Sequence, residues 1–362
     1  MAEAAARNGA GDTAHITTAA AVGGGGSAAS WRAASASPAS PAAESASRGA
    51  ANGAASDAAS ATAAAAATAQ HLLYVLLDSN LPTGGFVASS GLESYAKHGF
   101  LRPPPAEPYA EGQAAPVSVE QRAAPSSAAA LGPAKAGPAL VSFAQAEVDN
   151  YAASTGWYVA QAHAAVRAYD GEGLDAGVAA LLALDAAHEA TLLSHVARRA
   201  SKAQGIATLS LYFRGLGPPP GFDGEAGAPA TRALVDAYRA RIRKGLAPGH
   251  LAVCWGVMTA ALGLDLETSL HLYLFTHTRA LLSSAVRLNV IGPYLSTQLL
   301  AHPVARLLAG TSGAPPAGPG DAAGDDDWAW ADDAEHGPAT TWPLGEILAA
   351  RHDMQHSRIF NS

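Results

Sequence analysis

Cysteine, aromatic residues and charge are all scarce in this chain of 362 residues. The single cysteine, Cys254, excludes an internal disulfide and a cysteine-rich zinc site, and its apolar surroundings predict a buried thiol. Charged residues make up 14% of the chain and the net charge is −8, which argues against a basic nucleic-acid-binding surface. The uncharged stretch 288–305 contains two prolines and several polar residues and is a poor membrane span.

Common catalytic signatures are also missing. The sequence contains no G-x-x-x-x-G-K-[ST] phosphate loop, no H-E-x-x-H zinc motif and no G-x-S-x-G elbow. His352 and His356 are four residues apart with Asp353 beside them, but two ligands do not make a good metal site. We therefore expect no catalytic residue, no metal site and no cofactor in this chain.

Composition divides the chain into a low-complexity arm and one domain. Residues 1–69 are almost entirely Ala, Gly, Ser and Thr, which predicts a disordered arm. A transit peptide is the alternative, although the acidic residues in the arm argue against it. Residues 70–362 are expected to form one domain with two inserted loops. These are a proline-rich loop at about 102–138 and an acidic, Gly/Pro-rich loop at about 310–341.

The remaining segments have the apolar spacing of helices. Apolar or alanine positions recur at intervals of three and four in 140–169 and 188–213, and again after Asp265, which is placed to cap a helix over 266–288. Two further helices are expected at 232–244 and 251–262. Since no alternating strand pattern is present, the sequence predicts an all-α, single-domain helical bundle.

A glycine-rich turn at 81–93 is the most distinctive local feature. Pro82 ends the preceding helix, and Gly84 and Gly85 allow positive φ or a close approach to another element. Ser90 and Glu93 have the spacing of a capping box. A helix–turn–helix corner with a buried Phe86 explains each of these residues.

Polar lines on two of the predicted helices are candidate contact surfaces. On the helix predicted over 188–213, the polar line is either a basic strip that binds carboxylates or a face exposed to solvent. On the helix predicted over 266–288, the polar line is either a contact between helices or subunits or part of a buried ion pair within the chain. The first line comprises Ser194, Arg198, Ser201, Gly205 and Thr208, and the second comprises Arg279, Ser283 and Arg287.

Five segments together resemble the UreF family of urease accessory proteins. The segment 81–93 resembles its Leu-Pro-x-Gly-Gly-Phe signature followed by Gly-Leu-Glu, and 198–205 resembles a basic helix ending in Ser-x-x-Gln-Gly. The other three are 249–256, 285–293 in what looks like the eukaryotic form, and the C-terminal 356–362. Each motif alone is weak, but the five occur in the family's order and cover most of the predicted domain.

The resemblance implies an all-α, cytoplasmic and typically dimeric protein without enzymatic activity. Its implied partners are the accessory protein UreD or UreH and the GTPase UreG, in a complex that delivers nickel to apo-urease; nucleotide and nickel binding would be UreG's. No nucleic acid or membrane is implied. The partner-binding residues carried over are Gly84, Gly85, Phe86, Gly91, Glu93, Arg198, Ser201, Gln204, Gly205, Arg287, Arg358, Ile359 and Phe360.

The C-terminus carries its own expectation, because Ile359 and Phe360 are large apolar groups that need a surface. That surface is either this domain's core or a partner, and the resemblance favours UreD or UreH. Two other classes stay open: an all-α enzyme and a helical scaffold unrelated to urease. The enzyme alternative places its site among His188, His195, Arg198 and Arg287.

Overall fold

A computed structural model describes residues 62–63, 66–78, 80–85, 88–101, 133–217, 229–311 and 337–360 of the chain. One compact unit spans Ala64–Ser362; of the other unit, Met1–Ala63, only the helical residues 62–63 are described. Phe86, almost all of the expected N-terminal arm and most of both expected loops lie outside the described residues.

The described residues form helices and contain no β-strand, which confirms the all-α prediction. A first helix, α1, covers 66–76. The others are α2 Leu92–Lys97, α3 Pro133–Tyr151, α4 Trp157–Arg167, α5 Leu174–Thr191, α6 His195–Arg214, α7 Pro229–Arg243, α8 Leu251–Ala261, α9 Leu266–Arg287, α10 Pro293–Ala301, α11 Pro303–Thr311 and α12 Pro343–Ala350. A π-helical turn, Ala152–Gly156, joins α3 to α4, and a 3-10 turn, Arg351–Met354, follows α12.

Helix α8 forms the centre of the bundle because it is apolar on every side. All of its residues from Ala252 to Ala260 are buried, including Cys254, whose pKa is raised by burial. The buried thiol predicted from the sequence is thus confirmed. Helices α4 and α6 pack most extensively against α8, and a helix buried all round is typical of a core element.

Two glycines allow the helices to approach α8 closely. A Cβ atom on Gly256 of α8 would overlap the carbonyl oxygen of Val159 in α4. A Cβ atom on Gly205 of α6 would overlap the carbonyl oxygen of Gly249 and lie 2.7 Å from the carbonyl carbon of His250. These contacts fix how near α4 and α6 lie to α8 and to the turn before it.

The single helix predicted over 188–213 is wrong, because the chain breaks between α5 and α6. Ser194 has an extended backbone and its side chain accepts a hydrogen bond from the N–H of Ala197 at 3.3 Å. The Arg198 side chain donates to the carbonyl oxygen of Leu192. A serine cap and a satisfied carbonyl group together stabilise a new helix start at this point.

The structure also moves three element boundaries. Helix α3 begins at Pro133, inside the loop expected to end near 138, and Pro138 lies within this helix. The described helical residues include 66–69, before the expected end of the arm, and α11 continues to Thr311.

The predicted cap of α9 is confirmed. The Asp265 carboxylate accepts hydrogen bonds from the Thr268 N–H and the Thr268 hydroxyl, each at 2.8 Å. Glu267 lies in the first turn, where the helix dipole favours an acidic side chain.

Removing this cap gives a test of local stability. We expect Asp265→Ala to lower the free energy of unfolding by about 1 kcal/mol, because two donors lose their acceptor. Glu267→Ala is the matched control and should cost roughly 0.3 to 1 kcal/mol through the dipole alone. Urea denaturation would measure both, and equal, negligible effects would contradict the capping role.

Candidate functional site: a C-terminal clasp

The turn at 81–93 lies against helix α6. Gly84 has φ of 74°, one of the two roles expected for it, whereas Gly85 is not among the residues with positive φ. Gly91, for which no such expectation was made, has φ of 78°. A Cβ atom at Gly84 or Gly85 would lie 3.7 Å from the side chain of Gln204. The structure therefore brings three of the sequence-predicted contact residues, from two distant motifs, to one place.

The capping box expected from Ser90 and Glu93 is wrong. Gly91, which has no side chain to accept a hydrogen bond, is the N-cap of α2. The backbone N–H of Glu93 instead donates to the Ser89 hydroxyl at 3.4 Å. The Glu93 carboxylate points into the protein, where three of its partners are His352, Ile359 and Phe360.

Glu93 is fully buried and anchors the C-terminal segment. Its carboxylate accepts the backbone N–H groups of Ile359 at 2.8 Å and Phe360 at 3.2 Å. It also pairs with Lys97 at 2.9 Å and with the His352 ring at 3.1 Å. Burial alone would raise the pKa of Glu93, but the hydrogen bonds from these groups outweigh burial, so its pKa lies below the ordinary value.

The two apolar residues at the C-terminus face opposite environments. Phe360 is 3% exposed, and the Arg287 guanidinium lies 5.2 Å from the centre of its ring. Ile359 is 61% exposed. Of the two surfaces considered from the sequence, the chain's own core takes Phe360, while Ile359 remains available at the surface. We call residues 351–360, in this position, the C-terminal clasp.

A second carboxylate holds the clasp against α6. Asp353 accepts two hydrogen bonds from Arg199, at 3.1 and 3.2 Å, and pairs with His195 at 2.9 Å and Arg358 at 2.6 Å. The hydrogen bond from Arg199, with that from His195 and the charge of Arg358, lowers the pKa of Asp353 to about 2. The Asp353 side chain is partly exposed to solvent, which weakens its ion pairs. This cluster therefore contributes more to the position of the clasp than to the stability of the fold.

The predicted polar line on α6 does not form one strip. Ser194 caps the helix and Arg198 binds the Leu192 carbonyl oxygen, as described above. Ser201 accepts from the N–H of Leu251 at 3.1 Å and faces the His250 ring at 3.1 Å. Gly205 contacts Gly249, and Thr208 is fully buried. The line is thus largely a helix-packing surface that also holds the turn before α8.

A buried polar network beneath α6 was not recognised from the sequence. The Asp185 carboxylate, fully buried on α5, accepts from the Tyr238 hydroxyl at 2.9 Å and from the N–H groups of Gly249 at 2.7 Å and His250 at 2.9 Å. His250 in turn pairs with Glu189 at 2.6 Å. The only signal was an isolated aspartate in a helix rich in Ala and Leu, where a polar group facing the core needs partners.

A cavity of about 310 Å³ lies between the turn, α6, α9 and α12. Its lining includes His188, Gln204, Tyr273, Arg279 and Glu346. Burial and the adjacent His250 lower the pKa of His188 to about 3, so its imidazole is neutral at physiological pH. Burial, with Glu147 nearby, raises the pKa of Glu346.

The four residues of the enzyme alternative have separate partners. His188 lines the cavity, whereas the other three are not among its described lining residues. His195 pairs with Asp353, Arg198 binds a backbone carbonyl, and Arg287 stacks on Phe360. Among the described residues, these contacts do not assemble a nucleophile, a base and an orienting group.

The histidine pair near the C-terminus is also divided. His352 is buried against Glu93, while His356 is exposed on the segment after the 3-10 turn. Within the described ranges, no group of three or more His, Cys, Asp or Glu side chains is arranged to hold a metal ion. None of the described helices combines the length and the hydrophobicity that crossing a membrane requires.

Fold and site together define an all-α protein whose distinctive residues make structural and surface contacts. The family model named UreF matches residues 138–303. Urease accessory protein 6 of Cryptococcus neoformans var. grubii is 48% identical over 320 residues, which cover 81% of this chain and 96% of that protein.

More distant relatives carry related names. A protein of Schizosaccharomyces pombe described as an uncharacterized, UreF-like urease accessory protein is 30% identical over 48% of this chain and 66% of its own length. Urease accessory protein UreF of Paenarthrobacter aurescens is 27% identical over 64% of this chain and 78% of its own length. The chain belongs to the UreF family of urease accessory proteins.

Proposed function

We propose that this protein acts in urease maturation by bridging UreD or UreH and the GTPase UreG, and so promotes nickel insertion into apo-urease. In this proposal it is a binding protein and not a catalyst, and it works in the cytoplasm as a homodimer within the complex. The partner-binding set expected from the sequence carries over as part of the proposal, including Phe86, which lies outside the described residues.

The C-terminal clasp is the observation that carries the proposal. Two buried anchors, Glu93 and Phe360, hold a segment in which Met354 and residues 356–359 are exposed. Met354 is 78% exposed and Ile359 is 61% exposed. A segment held by its backbone that leaves apolar side chains exposed has the properties of a preorganised docking surface.

The adjacent helix extends this surface. Leu344 and Ile347 of α12 are exposed, and α12 packs on both α2 and α6. We assign this apolar surface to UreD or UreH. Arg287 and Arg358, which carry charge at its edge, would supply the polar rim that such interfaces have.

A double substitution on the clasp tests the assignment. We expect Met354→Asp/Ile359→Asp to weaken binding to UreD or UreH by roughly 30-fold or more, because two desolvated anchors are replaced by charges. Circular dichroism and thermal melting of the isolated protein should remain unchanged, since both side chains are exposed. Pull-down and calorimetry with purified UreD or UreH would measure binding.

The matched control is Tyr294→Asp on α10, where the side chain is 87% exposed. It should leave UreD or UreH binding intact. If the double variant binds normally, or if Tyr294→Asp has an equal effect, the clasp is not the docking surface. If the wild-type protein forms no complex with either accessory protein, the proposed function itself fails.

A further inference from the structure

Helix α7 carries a row of arginines that neither the clasp nor the cavity uses. Arg232, Arg239 and Arg243 are spaced by seven and four residues, which places them on one side of a helix with 3.6 residues per turn. The buried residues of α7, Leu234, Val235 and Tyr238, lie on another side. We call these three arginines the α7 basic row.

Two members of the row are held by one aromatic ring. The guanidinium carbon of Arg239 lies 4.5 Å from the centre of the Phe213 ring, and that of Arg232 lies 5.5 Å from it. Stacking restrains a long side chain while leaving the N–H groups at the edge of the guanidinium available. Arg232 and Arg239 are therefore ordered before any ligand arrives, which reduces the entropy lost on binding.

Few acidic residues on α7 are available to neutralise the positive charge of the α7 basic row. Asp236 is the only acidic residue in α7, and none of the ion pairs found among the described residues joins it to the row. Arg241, on another side of the helix, lies 3.9 Å from Asp175. Lys244 follows directly after the helix and adds a further exposed positive charge. This local excess of positive charge stands out in a chain with a net charge of −8.

We infer that the α7 basic row is a docking surface for a short acidic segment of a partner protein. A guanidinium group presents paired N–H donors that match the two oxygens of a carboxylate. The row is about 16 Å long, because eleven residues separate its ends and each adds about 1.5 Å. A few consecutive acidic residues match that length.

The charge of the whole protein favours a short ligand over an extended polyanion. Electrostatic interactions at physiological salt decay over about 8 Å, so the row attracts charge only close to itself. A nucleic acid strand that continued past the row would meet an acidic protein. This surface is separate from the clasp, and the inference does not depend on the proposed role of the clasp.

The test uses the full-length protein and a fluorescently labelled deca-aspartate peptide, with binding read by anisotropy at a physiological ionic strength of about 0.15 M. We expect Arg239→Glu/Arg243→Glu to weaken binding by roughly 10-fold or more. The matched control, Arg167→Glu/Arg306→Glu, makes the same change of net charge at two exposed arginines on α4 and α11. It should bind within about twofold of wild type. Equal losses in the two variants would overturn the inference.

Two further variants separate a binding role from a folding role. Arg243→Glu leaves the pair stacked on Phe213 in place and should still weaken binding several-fold. Arg232→Lys/Arg239→Lys keeps the positive charges but removes the paired N–H donors of the two guanidinium groups, and it should also weaken binding. Unchanged affinity in both variants contradicts the assignment. Tighter binding of a single-stranded DNA decamer, or of vesicles rich in phosphatidylserine, would also overturn the choice of an acidic protein segment.

Discussion

Replacing Glu93 by alanine is expected to release the C-terminal clasp and to lower the free energy of unfolding by about 3 to 5 kcal/mol. The change leaves the N–H groups of Ile359 and Phe360 without their acceptor and removes one of the partners of His352 and one of those of Lys97. Phe360 then loses the backbone contacts that keep its ring beneath Arg287. Urea denaturation measures the stability loss, and limited proteolysis near the C-terminus measures release of the segment.

Two other substitutions control this experiment. Glu93→Gln keeps the shape but not the charge, and should lose about half as much stability, because an amide oxygen still accepts hydrogen bonds. Asp353→Ala removes the more exposed carboxylate of the clasp and should cost no more than about 1 kcal/mol. If Glu93→Ala is no more destabilising than Asp353→Ala, then Glu93 is not the main anchor.

The pH dependence of the clasp follows from the same carboxylates. Because the pKa values of Glu93 and Asp353 are both lowered in the folded protein, the unfolded chain binds protons more readily. Their contribution to stability is complete above the pKa values of the unfolded chain. It is lost as the pH falls through the folded-state pKa values, which for Asp353 is about 2. Proteolytic release of the segment should therefore increase in acid and not in mild alkali.

Gly205→Ala is expected to have the other large effect, with a loss of about 3 kcal/mol or more and disruption of the packing between α6 and α8. The added methyl group would overlap the Gly249 carbonyl oxygen and lie 2.8 Å from the backbone nitrogen of Leu251. Backbone atoms cannot rotate away as a flexible side chain can. The helices must therefore separate, and the Asp185 hydrogen bonds to Gly249 and His250 would weaken with them.

Gly310→Ala provides a matched control, because Gly310 lies within α11 and nothing is within 4 Å of its added Cβ atom. It should be neutral or stabilise the protein by about 0.5 to 1 kcal/mol, as expected for alanine in an exposed helix. Thermal denaturation of the two variants beside wild type would show the contrast. A Gly205→Ala protein with wild-type melting would mean that this close approach has no energetic role.

Local signals predicted much of the helical framework. The Asp265 cap and the apolar stripe after it lie within a few residues of one another, so the sequence shows them directly. The break between α5 and α6 was missed for a comparable reason. The apolar spacing continues through Leu192 and Val196, whereas the break depends on the hydrogen bonds of Ser194 and Arg198. Periodicity reports which side is buried, but it does not report where backbone groups find alternative partners.

The clasp was less accessible to sequence reasoning because its contacts join distant segments. Glu93 was interpreted as a capping residue of its own helix, and the C-terminal apolar residues as a separate feature. Nothing in the local pattern shows that the carboxylate accepts backbone N–H groups from the chain end. The contacts of Gly205 with Gly249 and of Gln204 with Gly84 also join residues that are far apart in the sequence. Motif resemblance selected these residues, but only the packing of the helices shows which of them meet.

The separation between Glu93 and its anchor has a consequence for synthesis. The hydrogen bond to Ile359 spans 266 residues. At a translation rate of roughly 5 to 20 residues per second, a nascent chain therefore carries Glu93 for about 13 to 53 s before that partner exists. During this interval the carboxylate has to remain hydrated, and α2 cannot take its final buried position. The contacts between Glu93 and the clasp can thus form only after residue 360 has been synthesised. The docking surface proposed for the clasp cannot be complete before then.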